Sequence, residues 1–312
     1  MIGNLISLVV LIALVVLFGW LAKRAWVSKR AILKWAGVIL VGLATLLLAL
    51  VTVVTLIGFV KVYLPPQYAV PQIKVAATAD QVARGQHLAA VLCTGCHSMN
   101  DQLPLSGGGD LVAQANLPPL GTFFAPNLTA GGPLKNWSDG DIARAFRAGI
   151  SPDGRLLYLM SATGDARFLS DEDLAALIAY LRSQPAVQKE TPAENVSLLG
   201  VLMAGAGLIP QQPPVTGTVS APARSSTAEY GQYVVSYAGC RGCHGEDLSG
   251  GTGLAKGPNL TVRVPKWTQD QFVTAIHAAA AANAEMTPVT RLDDVELAAV
   301  YQYMHGLTPI QK

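Results

Sequence analysis

The sequence predicts an all-α protein in which two N-terminal transmembrane helices precede two small helical domains. Three observations lead to this fold class. The first 61 residues are almost entirely apolar, the remaining residues contain an internal repeat, and no segment shows the sustained alternation typical of β-strands. We expect a transmembrane helical hairpin over residues 1–62, a first domain over 63–185, a Pro-rich linker over 186–225 and a second domain over 226–312.

Two uncharged apolar runs lie in the N-terminal region. Leu5–Ala22 has 18 residues and Trp35–Val60 has 26, so each is long enough to cross the hydrocarbon core of a bilayer. Residues 23–34 between them contain five basic residues and no acidic residue. The positive-inside rule places this loop in the cytoplasm, with the N-terminus and everything after Val60 outside. A cleaved signal peptide is the alternative, but residues 1–4 lack its basic n-region.

Charge is divided unequally between the anchor and the rest of the chain. Residues 1–61 hold six of the 22 Lys and Arg residues and no acidic residue. The remaining 251 residues have 16 basic and 20 acidic side chains, a net charge of −4, and are long enough for two small domains and a linker. This charge balance gives no support to a nucleic-acid partner.

The region after the anchor contains the same series of motifs twice. Each copy has a Gly-Gln pair, a Cys-x-x-Cys-His motif, a Pro-Asn-Leu-Thr motif, a helix that starts after Trp-Ser or Trp-Thr, and a closing helix with acidic residues in its first turn. The paired segments are 85–87 and 231–233, 93–97 and 240–244, 126–129 and 258–261, 137–139 and 267–269, and 169–176 and 292–299. The repeat therefore predicts two domains of the same construction.

All four cysteines of the chain belong to the two Cys-x-x-Cys-His motifs. This pattern is typical of haem c attachment, in which the two thiols bond to the haem vinyl groups and the histidine ligates the iron. The sequence thus predicts two covalently attached haem c groups. Their attachment residues are Cys93, Cys96 and His97 in the first domain and Cys240, Cys243 and His244 in the second.

Three other uses of the cysteines are open. A zinc site can take paired Cys-x-x-Cys motifs but gives no reason for the histidine after each of them. A thioredoxin-like redox pair requires a βαβ context, which neither motif has. A disulfide within either motif would close a strained ring. Haem also supplies an apolar core that domains of this size would otherwise lack.

The ligand on the far side of each iron decides what a haem can do. Methionine raises the reduction potential and suits electron transfer, whereas an open position suits ligand binding or peroxide chemistry. Met160 and Met286 each lie between the Trp-led helix and the closing helix of their domain, so we expect them to be the axial ligands. His277 competes with Met286 but is expected at the surface, and His87 is expected near the haem edge.

The predicted linker contains a 12-residue apolar run, Leu198–Ile209, which is too short to span a membrane. We expect it to pack between the two domains. The alternative is contact with the membrane surface or with a neighbouring subunit.

Together these motifs resemble class I c-type cytochrome domains of the membrane-bound mono- and dihaem family, over about residues 80–185 and 226–308. The first domain and linker look similar to the cytochrome subunits of membrane-bound alcohol and gluconate dehydrogenases. The resemblance implies that the carbonyl of Pro126 accepts a hydrogen bond from His97, and that of Pro258 one from His244. The family's axial methionine is usually followed by proline, whereas Met160 and Met286 here precede serine and threonine.

The layout is closer to a different relative. The dehydrogenase subunits carry three haem motifs and no N-terminal hairpin, whereas two motifs behind a double anchor resemble the dihaem subunit of high-affinity haem–copper oxidases. This resemblance implies a relay of single electrons on the periplasmic side of a bacterial cytoplasmic membrane. The protein would be an electron-transfer subunit of a respiratory or photosynthetic complex, a quinol-oxidising complex or a terminal oxidase, rather than an enzyme by itself.

The partners implied are the other subunits of that complex, a soluble electron carrier and the lipid bilayer. Two alternatives remain open. In the first, the chain is the electron-accepting subunit of a periplasmic dehydrogenase, which differs in partner rather than in chemistry. In the second, it is a dihaem peroxidase-like enzyme, which needs one haem without a fixed sixth ligand.

Overall fold

The computed structural model describes residues 1–163, 165–209, 213–251 and 257–311 and is mostly helical, as predicted. Pro210 of the predicted linker and Lys312, the predicted end of the second domain, lie outside the described residues.

Two long apolar helices form the N-terminal region. Helix α1 (Ile2–Trp26) and helix α2 (Ala31–Tyr63) are both long and apolar enough to cross a membrane. They pack side by side with opposite directions, since Ala25 contacts Gly37 at one end and the Asn4 amide donates a 2.7 Å hydrogen bond to the Tyr63 hydroxyl at the other.

The next elements enclose the first Cys-x-x-Cys-His motif. Helix α3 leads into the motif, helix α4 contains its histidine, and helix α8 closes the unit by crossing α3. Short 3₁₀ turns lie at Pro133–Asn136 and Asp165–Phe168. The helices are α3 (Ala79–Leu92), α4 (Thr94–His97), α5 (Leu111–Gln114), α6 (Asp139–Ala148), α7 (Tyr158–Thr163) and α8 (Asp171–Ser183).

The segment after α8 returns to the first domain and the anchor. Strand β1 (Gly121–Thr122) pairs antiparallel with strand β2 (Asn195–Val196), and helix α9 (Leu198–Gly205) follows directly. Helix α9 packs against α2, with contacts to α1 as well. The expectation that this apolar run packs between the two cytochrome-like domains is therefore wrong, because its partners are the anchor and the first domain.

The second domain repeats the construction of the first. Helix α10 leads into the second motif, α11 contains it, and α13 crosses α10. The 3₁₀ turn Ala284–Arg291, which we call the Met286 segment, lies between α12 and α13. The helices are α10 (Ala228–Tyr237), α11 (Cys240–His244), α12 (Gln269–Ala282) and α13 (Asp294–His305), with a further 3₁₀ turn at Val264–Lys266.

The helix crossing that closes each domain depends on one glycine. A Cβ on Gly85 of α3 would lie 1.9 Å from the carbonyl oxygen of Ala176 in α8. A Cβ on Gly231 of α10 would lie 2.0 Å from the carbonyl oxygen of Ala299 in α13. Only glycine permits either backbone approach, so the repeated Gly-Gln pair marks the same crossing in both domains.

The helix starts predicted from the repeat are confirmed. Ser138 caps α6 and Thr268 caps α12, each in a capping box that satisfies the first backbone N–H groups of the helix. Met304 of the last helix is buried in the apolar core.

Apolar side chains form two cores. The larger core runs through both domains without interruption and includes residues of α3, α8, α10 and α13. The smaller core joins the anchor to the first domain: Val62 of α2 and Val201 of α9 pack with Phe123 and Tyr158. The first domain is thus packed on the anchor on one side and on the second domain on the other.

Candidate haem-binding sites

The imidazole of each motif histidine is oriented by a proline carbonyl. His97 Nδ1 lies 2.8 Å from the carbonyl oxygen of Pro126, and His244 Nδ1 lies 2.8 Å from that of Pro258. A carbonyl only accepts, so Nδ1 carries the proton and donates in both cases. This tautomer leaves Nε2 as the basic nitrogen, which is the atom that a metal ligand requires. Both contacts implied by the resemblance are present.

Burial lowers the pKa of His97, although its bond to Pro126 opposes the shift. The imidazole is therefore neutral at physiological pH, as a metal-ligating histidine must be.

A loop approaches the back of each motif in the same way. The N–H of Gly107 donates to the His97 carbonyl at 2.9 Å, and the N–H of Gly250 donates to the His244 carbonyl at 2.8 Å. Both glycines have positive φ angles, 96° and 107°, which favour glycine. These bonds hold the backbone of each histidine, while the bond from Nδ1 to the proline carbonyl orients its ring.

The repeated Pro-Asn-Leu-Thr motif is a rigid turn that presents the proline carbonyl. In the first copy, Asn127 Oδ1 accepts from the N–H and the hydroxyl of Thr129 at 3.0 and 2.7 Å. Asn259 and Thr261 make the same bonds at the same distances in the second. The asparagine amide also donates to the chain after the closing helix, at Val187 in one domain and Ile310 in the other.

The four cysteines all lie in described parts of the chain, and none forms a disulfide. Among the described residues, the His, Cys, Asp and Glu side chains whose ligand atoms converge within 4.8 Å are His87, Asp293 and Glu296, and they include no cysteine. Burial raises the pKa of Cys93 to about 12, with a contribution from Cys96, whereas a reactive redox cysteine needs a lowered pKa.

The residues present fit a covalently attached haem. Each motif offers two thiols one helical turn apart beside an imidazole whose Nε2 is available, which is the donor set of haem c. Space beside the second imidazole is limited, because a Cβ on Gly257 would lie 2.6 Å from His244 Nδ1. Position 257 therefore requires glycine.

Each candidate methionine lies on a short element between the middle and closing helices of its domain. Met160 is in α7, beside Phe146, Arg147 and Ser161. Met286 is in the segment named for it and is half-buried. His277 is exposed on α12, as expected. Axial ligation by the two methionines stays a prediction.

A network of charged and phenolic groups joins the two domains. Arg84 of α3 bonds Asp173 of α8 at 2.9 Å and reaches across to Glu296 of α13 at 2.8 Å. His87 Nε2 lies 2.7 Å from the same Glu296, whose side chain is fully buried. The ring of His87 thus faces the second domain's closing helix, and its position near the haem edge stays a prediction.

The second domain contributes the reciprocal contacts. The Tyr233 hydroxyl of α10 donates to Asp173 at 2.7 Å, and that of Tyr237 donates to Glu296 at 2.9 Å. Burial acts to raise the pKa of Glu296, but hydrogen bonds and charge from His87 and Arg84 hold it at about 2. Asp173 and Glu296 occupy equivalent repeat positions, so each domain's first helix reaches the other domain's closing helix.

A second contact joins the Met286 segment to the first motif. The Arg291 guanidinium donates to the carbonyls of Ala90 and Asp101, both at 2.8 Å, and to the Asp101 carboxylate at 2.5 Å. It also bonds the hydroxyl of Thr94, the residue after Cys93. The Met286 segment of the second domain is thereby held against helix α4, which contains the first motif histidine.

Comparison with known proteins assigns both regions. Residues 82–185 match the family described as cytochrome c, and residues 226–304 match the family described as cytochrome c oxidase, cbb3-type, subunit III. Both regions are cytochrome c-type domains. The histidine–proline contacts described above thus lie within, or directly between, the elements of the two regions that match cytochrome c families.

Several curated proteins are similar to part of this chain. A nicotinate dehydrogenase subunit of Pseudomonas putida is 34% identical over 38% of the chain and 10% of its own length. The gluconate 2-dehydrogenase cytochrome c subunit of Pantoea cypripedii is 33% identical over 34% of the chain and 25% of its own length. A diheme cytochrome c-type protein of Cereibacter sphaeroides is 33% identical over 35% of the chain and 38% of its own length. The chain therefore spans well under half the length of these relatives.

Sequence reasoning missed the interdomain network and Arg291. The acidic residues at 173 and 296 occupy equivalent positions of the repeat. Acidic residues near helix starts are, however, common and usually solvated. Nothing in the sequence distinguishes these two, because their partners Arg84 and His87 align with tyrosines in the second copy rather than with similar side chains.

Proposed function

We propose that this protein is a dihaem c-type cytochrome that relays single electrons on the periplasmic face of a bacterial cytoplasmic membrane. Haem c, bound at both sites, supplies one-electron exchange between ferrous and ferric iron. The observation that carries the proposal is the duplicated histidine geometry, in which Nδ1 of His97 and of His244 donates to a proline carbonyl over the same 2.8 Å.

The protein's own residues have separate tasks in this relay. Cys93, Cys96, Cys240 and Cys243 hold the haems covalently. The Nδ1–H bonds of His97 and His244 to Pro126 and Pro258 orient the proximal ligands and increase their basicity. Met160 and Met286 are the proposed sixth ligands, which would raise both potentials and exclude other ligands.

The contacts of Arg291 support transfer between the two haems rather than independent use of each. This side chain ties the segment that carries Met286 to Thr94, inside the first attachment motif. The buried network of Arg84, His87 and Glu296 holds the closing helices of both domains at the same interface. Fixed relative positions keep the distance between two redox centres constant, which a relay requires.

The membrane location is supported by the two apolar helices and the basic loop between them. We infer that α1 and α2 span the membrane as a hairpin, with the basic stretch 23–34 on the cytoplasmic side and both haem domains outside. The second domain's similarity to a cbb3-type oxidase subunit favours a respiratory or photosynthetic complex, quinol-oxidising or terminal oxidase, as the partner assembly.

A second candidate function is the electron-accepting subunit of a periplasmic dehydrogenase. The observation in its favour is that the names of several relatives are those of nicotinate, gluconate, alcohol and fructose dehydrogenase subunits. Affinity isolation of the full chain from native membranes distinguishes the two assignments. A co-purifying haem–copper or quinol-oxidising subunit supports the first, and a co-purifying dehydrogenase subunit supports the second.

Optical spectra of the purified protein test the electron-transfer chemistry. We expect no carbon monoxide adduct in the reduced form and the near-infrared methionine–iron band in the oxidised form. Met160→Ala and Met286→Ala should each remove about half of that band and open one haem to carbon monoxide. A carbon monoxide adduct in the unmodified protein would contradict the relay and favour the peroxidase-like alternative. Met304→Leu, a core change, is the control that should leave the band intact.

A further inference from the structure

We propose that helix α9 is a third membrane-embedded element, inserted into the outer leaflet beside α2. The inference rests on the proposed placement of α1 and α2 across the membrane and adds a lipid-binding surface to it. The occupant of this surface is the acyl region of the bilayer.

The first argument is the packing of α9 on α2. A Cβ on Gly58 would lie 1.9 Å from the Val201 carbonyl oxygen, and one on Gly205 would lie 2.0 Å from the Val54 carbonyl oxygen. Two successive backbone contacts, one helical turn apart on each helix, mean that the helices lie alongside each other and run in opposite directions. Small residues at such contacts are typical of helix pairs within membranes.

The second argument is the level of α9 along the anchor. Asn4 donates to the Tyr63 hydroxyl at 2.7 Å and to the Val196 carbonyl at 2.8 Å, so the apolar runs of α1 and α2 end together beside strand β2. Helix α9 starts at this level and runs back along α2. Its end at Gly205 lies beside Val54, nine residues before Tyr63, which is roughly 13 Å at the rise of an α-helix. Half of a bilayer's hydrocarbon core is about 15 Å.

The third argument is the chemistry of α9. Ser197 through Ile209 contain no charged residue. One face is buried, with Val201 and Ala204 in the smaller core. On the other face Leu199 is 39% exposed, and Leu208, just beyond the end of the helix, is 66% exposed. On the surface of a soluble domain these leucines would be exposed to water. Because α9 ends beside Val54, they instead extend the apolar surface of α2 that would face lipid.

The backbone of α9 is closed in the manner that lipid requires. Gly207, with φ 73°, ends the helix, and the N–H of Leu208 donates to the Met203 carbonyl at 2.9 Å. The Lys61 ammonium donates to the Ala204 carbonyl at 3.1 Å. These bonds satisfy carbonyls at the helix end, and they pair a cation that would be costly alone near the hydrocarbon.

Cysteines introduced one at a time into the haem-loaded full-length protein test the proposal, since thioether bonds to haem would leave the four native cysteines unreactive toward maleimide. We would introduce Leu208→Cys and Leu199→Cys, with Leu47→Cys in the middle of α2 as the lipid control and Ser220→Cys, exposed in the linker, as the water control. Each variant is reconstituted alone in lipid nanodiscs and treated with a membrane-impermeant maleimide. Because the thiolate is the form that attacks the maleimide, and it forms poorly away from water, Leu208→Cys should react about ten-fold or more slowly than Ser220→Cys.

The outcomes distinguish the proposed insertion of α9 from the proposed placement of α1 and α2. Slow labelling at 208 and at 47 supports the proposal, since the protein itself leaves position 208 exposed. Labelling at 208 as fast as at 220, with 47 protected, overturns it while leaving the anchor in place. Fast labelling at 47 contradicts the proposed anchor itself. A benzophenone amino acid at 208 should crosslink to lipid in native membranes, and a crosslink to another protein would overturn the lipid assignment.

Discussion

The two cytochrome c domains are built alike around their histidines and are held in place by different means. The first is packed on the anchor through an apolar core that includes Val62 and Val201. The second is held through the first, by a shared apolar core and by a polar network centred on the fully buried Glu296. The repeated motifs thus determine how each motif histidine is oriented, whereas residues outside the motifs determine where each domain lies.

Glu296→Gln should have the largest effect on this arrangement. The change removes a buried charge and takes the carboxylate partner from His87 and one of two carboxylate partners from Arg84, which typically costs about 3–5 kcal/mol. Chemical denaturation of the full chain, followed by haem absorbance, measures the loss. Asp294→Asn, at an exposed position of the same helix, is the control and should change stability by less than about 0.5 kcal/mol. Equal stability of the two variants would show that the network does not hold the domains.

Acidification should weaken the same interface without any substitution. The pKa of Glu296 is held at about 2 in the folded protein by His87 and Arg84, against burial, and lies near 4.5 when unperturbed. A lowered folded pKa stabilises above the unfolded value, and this stabilisation is lost as the pH falls from about 4.5 toward 2. The difference is about 3 kcal/mol in all. The stability gap between wild type and Glu296→Gln should therefore shrink over this range, and a constant gap would contradict the assignment.

Gly85→Ala and Gly231→Ala should show how alike the domains are. Each adds a Cβ about 2 Å from a backbone carbonyl of the closing helix, and we expect each to cost about 3 kcal/mol. Thermal unfolding followed by haem absorbance and by circular dichroism compares them, with Gly42→Ala, where a Cβ meets nothing within 4 Å, as the control. A large effect in one domain and none in the other would contradict the structural equivalence of the two helix crossings.

Arg291→Ala should have a smaller effect, confined to the junction of the two sites. It removes hydrogen bonds from a charged group to Ala90, Thr94 and Asp101, worth about 1.5–3 kcal/mol together. Arg224→Ala is the matched control, because its ion pair with Asp293 is largely exposed and should contribute at most about 1 kcal/mol. Denaturation midpoints give both values, and equal losses would show that Arg291 is an ordinary surface cation.

The sequence predicted the parts of the fold that depend on local signals. The apolar runs locate α1 and α2, and Ser138 and Thr268 mark helix starts, whereas both histidine–proline contacts were implied by the resemblance to c-type cytochromes. These features are readable because the residues that interact are close in the chain or occur twice.

The remaining contacts depend on how distant elements are placed. His87 and Glu296 are separated by 209 residues and come together only because α3 and α13 share an interface. The apolar run that begins at Leu198 predicted a segment that packs against other apolar groups, but its sequence did not indicate which groups. Its pairing with α2 depends on Gly58 and Gly205, which in sequence are two of thirty glycines.

The number of covalently bound haems tests the central claim most directly. Intact mass and the pyridine haemochrome spectrum should give two haems for the wild-type chain. One haem should remain in the variant with Cys93→Ala and Cys96→Ala, and one in the variant with Cys240→Ala and Cys243→Ala. A wild-type chain with one haem, or with bound zinc and no haem, would contradict the account of two equivalent haem sites.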